Sequence, residues 1–320
     1  MSELPIWPSV SVVMPVLNEE ADLERGVRAI FAQDYPGGME VCIALGPSRD
    51  RTNEVVERLQ RDEPRLRTVP NPSGRTPIGL NRAIRATTGE VVVRVDGHTE
   101  LPAGYIRRAV ETLVRTGAAN VGGVQKAVGQ TEFERAVAEA MASPFGMGGA
   151  KFHSGGDEGP VDTVFLGVFR REAIEEVGLF DEILTRNQDY ELNIRLRKAG
   201  GVIWFDPALE VSYRPRPTLR SLARQFLEYG AWKRYVLSIH PGSLKIRQIV
   251  PPFVLLANVT AVISSPWTPL SLLLPALYAL LTIGVSVLTA PRHALRLAVI
   301  FPTMHFSWAC GFLTRRIRRS

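Results

Sequence analysis

Val93-Arg94-Val95-Asp96-Gly97-His98 puts a carboxylate and an imidazole two residues apart, where a run of valines stops. Val91, Val92, Val93 and Val95 read as a buried strand, and Gly97 frees the backbone to turn between the two polar side chains. In an open α/β sheet, ligands sit at the carboxyl ends of strands. A carboxylate and an imidazole there can hold a divalent cation, and the cation can hold a diphosphate. The plainer use of the same residues is a capped turn with a solvated histidine. A second carboxylate, Asp189, follows Asn187-Gln188 at the expected start of a helix. Taken alone, it reads as a first-turn carboxylate resting against the helix dipole.

The surrounding elements decide where these groups sit. Strands are expected over 10–16, 40–45, 66–69 and from 91 into Asp96, then over 120–128, 163–170 and 202–205. Apolar residues at helical spacing alternate with them. Asn18 is the expected N-cap of the first helix, with Glu19, Glu20 and Asp22 loading its first turn. Thr76-Pro77 reads as cap and first residue of another. Gly117 should end the helix carrying Ile106, Val110 and Leu113. A glycine-rich stretch over 145–159, holding Lys151 and His153, is expected as a long loop. Strands alternating with helices predict a doubly wound, mostly parallel α/β sheet.

The pattern changes after Leu219. Leu222, Phe226, Tyr229 and Val236 share one helical face, while Arg220, Arg224, Lys233 and Arg234 decorate the helix, as suits a helix lying in a membrane interface. Residues 270–290 form an uncharged apolar run, against the roughly 20 residues needed to cross a bilayer. Residues 294–313 form a second, and 249–265 a shorter third that carries Pro251, Pro252 and Asn258. Two or three spans are open; the basic tail Arg315-Arg316-Ile317-Arg318-Arg319 favours a two-span hairpin with the third segment re-entrant or interfacial, by the positive-inside tendency. The expected organisation is a cytosolic domain over 1–217, an interface helix over 218–248 and a membrane region over 249–320.

A net charge of +6 and a pI near 9.6 suit an anionic partner. The basic residues crowd toward the apolar tail, which points to membrane lipids and away from nucleic acid. Two cysteines, Cys42 and Cys310, give neither metal spacing nor a disulfide framework, so the main domain is expected in the cytosol. Residues 1–8 lack a basic stretch followed by an apolar one, so no signal peptide is expected.

The chain resembles glycosyltransferase family 2, the inverting nucleotide-sugar enzymes with the GT-A fold, and within it the succinoglycan-type membrane glucosyltransferases. Ser11-Val12-Val13-Met14-Pro15-Val16-Leu17-Asn18-Glu19-Glu20, Gly79-Leu80-Asn81-Arg82-Ala83-Ile84 and Arg94-Val95-Asp96-Gly97-His98 carry the likeness. Phe145-Gly146-Met147-Gly148-Gly149-Ala150, Arg186-Asn187-Gln188-Asp189-Tyr190-Glu191-Leu192-Asn193, Tyr229-Gly230-Ala231-Trp232-Lys233 and His305-Phe306-Ser307-Trp308 extend it. The resemblance implies nucleotide-sugar contacts at Pro15, Val16, Asn18, Glu19, Gly46, Asp50, Asn81 and Asp96, with Glu19 meeting the ribose. It implies a Mn²⁺ or Mg²⁺ ion on Asp96 and His98, with histidine standing where the family has a second aspartate. Arg75 and Arg82 are candidates to supplement that charge. It implies Asp189 as catalytic base, and His153, Gln188, Gln225 and Trp232 near the acceptor or the diphosphate. Two departures stand out. Ala44-Leu45-Gly46-Pro47 lacks the family's acidic base-reading residue, so UDP is only the default nucleotide. The Gln225 to Trp232 spacing departs from the Gln-x-x-Arg-Trp signature of processive relatives, which speaks against a polymer-extruding synthase.

The activity implied is transfer of one hexose from a nucleoside diphosphate sugar to a lipid-linked or membrane-proximal saccharide acceptor, in cell-envelope or exopolysaccharide synthesis. The enzyme would be a multi-pass protein of the cell membrane. A catalytically silent nucleotide-sugar-binding scaffold would be marked by loss of Asp96 or Asp189, and both are present. A dinucleotide oxidoreductase needs glycines after the first strand, and residues 15–20 contain none.

Overall fold

The computed structural model describes residues 3–314. Its eight-stranded sheet has the order β3-β2-β1-β4-β7-β5-β8-β6, built from β1 (Val10–Val16), β2 (Met39–Leu45), β3 (Leu66–Pro70), β4 (Val91–Arg94), β5 (Asn120–Ala127), β6 (Gly159–Pro160), β7 (Phe165–Arg170) and β8 (Ile203–Tyr213). β3, β2, β1 and β4 run parallel. β7 is antiparallel to β4 and β5, and β6 to β8. The parallel character belongs to the first four strands, the alternating βα half of the sequence. There each helix returns the chain to the start of the next strand. The strand expected over 202–205 runs on to Tyr213.

Alternation along β1 shows why both faces are covered. Val10, Val12, Met14 and Val16 enter one apolar cluster with residues of α1 (Leu23–Phe31), α2 (Thr52–Asp62) and α4 (Tyr105–Thr116). Val13 enters the opposite cluster with α3 (Thr76–Arg85), α8 (Arg171–Glu176) and α9 (Gln188–Lys198). A strand exposes successive side chains to opposite faces, so a strand apolar at both parities needs helices on both sides. α8 went unnoticed in the sequence because six residues are too few to show a period.

Asn18 is not the cap of α1. That helix starts after Asp22, and Asn18 has a left-handed backbone with φ 57°. Asparagine tolerates that conformation, because its short side chain finds local hydrogen bonds there. Arg75 is the residue before α3, and Thr76-Pro77 lie inside its first turn. Gly117 ends α4 with φ 67°, as its lack of Cβ allows.

The chain divides into two compact units, Met1–Lys126 with Gly155–Ser212, and Ala127–Ser154 with Tyr213–Ser320. This differs from the boundaries expected at 217 and 248, because 127–154 packs with the C-terminal helices. The expected loop over 145–159 contains two short helices, α6 (Pro144–Met147) and α7 (Lys151–Ser154), separated at Gly148-Gly149, both of positive φ.

In the second unit α5 (Glu132–Ala142), α10 (Leu219–Ile239) and α13 (Ala294–Thr314) share a core that includes Ala136, Ala140, Leu222, Phe226, Phe301 and Met304. Leu222 and Phe226 of the apolar face of α10 are therefore covered by protein. α10 and α13 touch at glycines. A Cβ on Gly230 would fall 2.0 Å from the Trp308 carbonyl oxygen, and one on Gly311 2.0 Å from that of Leu227. Arg234 Nη1 donates to the Phe312 carbonyl at 3.2 Å, satisfying an end group of α13. The tail that prompted the two-span expectation lies outside the described residues. Three helical stretches are long and apolar enough to cross a membrane: Ile246–Ser264 (α11), Pro269–Thr289, which includes α12 (Leu273–Thr289), and Pro291–Thr314, which includes α13. The shortest runs unbroken through Pro251 and Pro252 for 19 residues, or about 28 Å at 1.5 Å per residue.

One buried ion pair yields a pH test of the first unit. Asp206 is fully buried and accepts from Arg108 Nε at 2.9 Å, Thr112 Oγ1 at 2.9 Å and the Ala208 backbone N–H at 3.0 Å. Burial pushes its pKa up, but these donors outweigh burial and leave it below the usual carboxylate value. A depressed folded pKa contributes stability that is present above the unfolded value near 3.9 and is lost as pH falls through the folded one. Asp206→Asn should cost about 1–3 kcal/mol at pH 7, the range for a hydrogen bond to a charged group. Melting curves of variant and wild type should converge below about pH 4.

Candidate active site

β1 and β4 are parallel neighbours with Val13 opposite Arg94, so the segments leaving their carboxyl ends meet. Asp96 and His98 leave β4, and Glu19 leaves β1. His98 Nδ1 lies 3.0 Å from Glu19 Oε1. A Cβ on Gly97 would fall 2.9 Å from Glu19 Cγ, so glycine is what lets the two turns close together. Hydrogen bonding to Glu19 raises the pKa of His98 against the opposing effect of burial.

Arg94 is the last residue of β4, and its side chain is only 7% exposed. Nη2 donates to Asp96 Oδ1 at 2.8 Å, and Nη1 pairs with Asp189 Oδ1. One guanidinium thus joins the carboxylate at the end of β4 to the carboxylate in the first turn of α9. Burial raises the pKa of Asp96, but the Arg94 charge and hydrogen bond overcome this and hold it below the usual range. Nε of Arg94 is buried with no hydrogen-bond partner among the described residues. Sequence reasoning quoted Arg94 inside a motif and gave it no task. Its signal was a cation in an otherwise all-valine buried strand.

The loop after β2 is stitched to the turn after β1. Asn18 Oδ1 accepts from the Arg49 N–H at 2.8 Å, and the Asn18 N–H donates to Ser48 Oγ at 3.0 Å. The Glu19 N–H donates to Thr52 Oγ1 at 2.8 Å. Asp50 accepts from the Glu20 N–H at 3.2 Å and the Thr52 N–H at 3.1 Å, and the Thr52 hydroxyl does most to lower its pKa. The Gly46 N–H donates to the Val16 carbonyl at 2.8 Å. Pro15 and Val16 close β1 at this edge. The first unit therefore brings together Pro15, Val16, Asn18, Glu19, Gly46, Asp50, Asp96 and His98, and joins Asp189 to them through Arg94.

Asn81 does something else. It is buried, donates to the Phe180 carbonyl at 2.9 Å and Glu182 Oε1 at 3.0 Å, and accepts from the Phe180 N–H at 3.0 Å. Its amide fastens α3 to the segment before α9. Arg75 donates to the Ile183 carbonyl at 2.6 Å, and Arg82 to that of Pro70 at 2.7 Å, so both hold backbone. Gln188 is buried at the start of α9. Glu191 is buried and paired with Arg195 at 2.7 Å, so it is engaged within its own helix.

His153, Gln225 and Trp232 belong to the second unit. Gln225 Nε2 donates to the hydroxyls of Tyr213 at 3.0 Å and Tyr229 at 2.9 Å. Trp232 packs edge-on to Tyr235 at 5.8 Å. His153 lies against the Phe152 ring at 4.2 Å, and burial pushes its pKa down to about 4, keeping it neutral.

Among the described residues no three His, Cys, Asp or Glu side chains cluster as a metal cage. A cation that also binds substrate phosphates needs only one or two protein ligands. The donor set fits that case. A ligating histidine usually gives its other ring nitrogen to a carboxylate, which fixes its tautomer. With Nδ1 on Glu19, His98 has Nε2 left to ligate beside the Asp96 carboxylate.

Comparison with known proteins bears on the family and the fold. The family model "Glycosyl transferase family 2" matches residues 11–178. The succinoglycan biosynthesis protein ExoA of Rhizobium meliloti (strain 1021) is 30% identical over 309 residues, covering 94% of this chain and 93% of that protein. The dolichyl N-acetyl-alpha-D-glucosaminyl phosphate 3-beta-D-2,3-diacetamido-2,3-dideoxy-beta-D-glucuronosyltransferase of Methanococcus voltae is 26% identical over 76% of this chain and 77% of its own. Among solved structures, the mannosyltransferase PcManGT from Pyrobaculum calidifontis, in complex with GDP-Man and Mn²⁺, shares the fold. Its TM-score is 0.65 at 21% identity, over 92% of this chain and 86% of that one. With the family model over more than half of the chain and one relative matching almost end to end, the chain belongs to glycosyltransferase family 2.

Proposed function

We propose that the protein is a membrane-anchored, inverting hexosyltransferase. It takes a nucleoside diphosphate sugar, UDP-linked by default, and glycosylates a lipid-linked or membrane-proximal saccharide in envelope or exopolysaccharide synthesis. The observation that carries the reading is the pair of carboxylates, Asp96 and Asp189, held on one buried guanidinium at the carboxyl edge of β4. The relatives' names support the acceptor class, one by succinoglycan and the other by a dolichyl phosphate-linked sugar. The three apolar helices support a membrane location; the reading sets that membrane as the cell membrane and the first unit on its cytosolic side.

The roles follow from the chemistry. The turn from Pro15 to Glu19, with Gly46 and Asp50 behind it, holds the nucleoside. Asp96 and His98 are the residues that would bind Mn²⁺ or Mg²⁺, which when bound supplies positive charge to the diphosphate. Asp189 takes the proton from the acceptor hydroxyl. The acceptor oxygen then forms its bond to the anomeric carbon as the bond to the diphosphate breaks, and that leaving group keeps the electron pair. Attack from the face opposite the leaving group inverts the centre.

Three measurements test this. Purified protein should release nucleoside diphosphate from one member of a nucleotide-sugar panel only when acceptor is added; silence across panel and acceptors would overturn transferase activity. Asp189→Asn preserves shape and removes basicity. Donor affinity and melting temperature should hold while turnover falls about 10²–10⁴-fold, the usual worth of a general base. Near wild-type turnover would remove Asp189 from that role. Asp96→Ala should abolish transfer, whereas His98→Asp should keep it and shift preference from Mn²⁺ toward Mg²⁺, since a harder oxygen replaces nitrogen. Full wild-type activity in excess chelator would argue against the cation.

For the anchor, carbonate or high salt should leave the protein in the membrane pellet and detergent should release it, because salt screens charge but not apolar insertion. Release by salt alone would overturn an integral anchor.

A further inference from the structure

We infer that Arg94 is a positioning residue for transfer: its forked guanidinium sets Asp189 in place relative to Asp96. The inference rests on the reading of Asp189 as base. Three observations support it. The two carboxylates come from distant parts of the chain, the end of β4 and the first turn of α9, and Arg94 contacts both through different nitrogens. Arg94 is buried, so its geometry is fixed by packing in a way a surface ion pair is not. Asp189 sits in the first turn of α9, directly after the left-handed Asn187, with φ 61°, and the buried Gln188.

The fork matters for orientation. A planar guanidinium presents donors in a rigid geometry, whereas an ammonium is a point charge on a flexible stem. Holding one Asp189 oxygen on Arg94 directs the other to the acceptor hydroxyl. That constraint differs from simple charge balance, which any buried cation would provide. It also differs from a structural tie, whose loss would impair folding and every ligand alike.

Arg94→Lys, Arg94→Gln, Asp189→Asn and the double variant Arg94→Gln/Asp189→Asn separate these roles. Three readouts are needed: turnover, UDP affinity by calorimetry, and Mn²⁺ affinity by electron paramagnetic resonance of the free ion without donor. Arg94→Gln should lower turnover about 10²-fold, the cost of a misplacement near 1 Å. UDP affinity should hold. Mn²⁺ should bind at least as tightly as in wild type, because a cation competing for Asp96 has gone. Arg94→Lys should fold, bind UDP and still transfer more slowly than wild type. In the Asp189→Asn background Arg94→Gln should cost nothing more, since residues acting through one another are non-additive.

Additive losses in the double variant, wild-type turnover in Arg94→Lys, or weakened Mn²⁺ binding in Arg94→Gln would each overturn the inference alone. Wild-type turnover in Asp189→Asn would overturn the base assignment first, and the inference with it. If Arg94→Gln does not fold, the double variant, which removes one carboxylate together with the cation, and Arg94→Lys decide the matter.

Discussion

A guanidinium cannot be buried at the end of a strand without opposite charge beside it. Taking one ion out of water costs several kcal/mol even after relaxation, and leaving it unpaired costs about 3–5 kcal/mol. Arg94 meets that demand with Asp96 and Asp189. The first unit is arranged around the consequence. β4 must end where Asp96 can fold back toward Arg94, and α9 must begin where its first turn reaches the same guanidinium. The parallel pairing of β1 with β4 then carries Glu19 to His98. Acidic groups that would repel one another are thereby held at one sheet edge.

The sequence exposed the parts of this site that follow from periodicity. A valine run ending on Asp96 marks a strand end, and the alternation of strands and helices places that end on the ligand edge of a sheet. Asp189 was legible only through resemblance, since a carboxylate in a first helical turn is ordinary in itself. Arg94 was not legible as a bridge. Nothing local reveals that a strand residue and a later helix start converge, because that contact depends on how α8, α9 and β7 pack. The packing role of Asn81 was hidden for a related reason. Its amide suits a nucleotide, but its partners Phe180 and Glu182 lie far along the chain.

Asn18 and α10 show local rules losing to tertiary context. Asparagine before acidic residues is a fair cap signature, yet the same side chain bonds as readily to a neighbouring turn, and Arg49 supplies that bond. In α10, basic and aromatic residues around one apolar face suit either a bilayer surface or a protein partner. The glycines supply a protein partner for part of that face. Gly230 and Gly311 let two backbones approach where any side chain would collide, and Leu222 and Phe226 are consumed in the core that results. Large apolar side chains remain exposed chiefly along α11 and α12, as at Phe253, Leu256, Leu277 and Leu280. Helices so exposed need an apolar solvent, whereas a core helix hides such groups.

The donor side of the site is rigid for reasons that can be traced bond by bond. Asp50 is tied to Thr52 and to the Glu20 N–H, Glu19 to the Thr52 hydroxyl through its own N–H, and Asn18 to the loop after β2. Each bond removes freedom from a group to which we assign a nucleotide contact. A site braced this way meets its ordering cost during folding and not at binding. It also accounts for the left-handed backbone of Asn18, because a residue of ordinary φ at that position would direct the turn away from Ser48 and Arg49. The strain is small for asparagine, and it is offset by bonds that only this conformation makes.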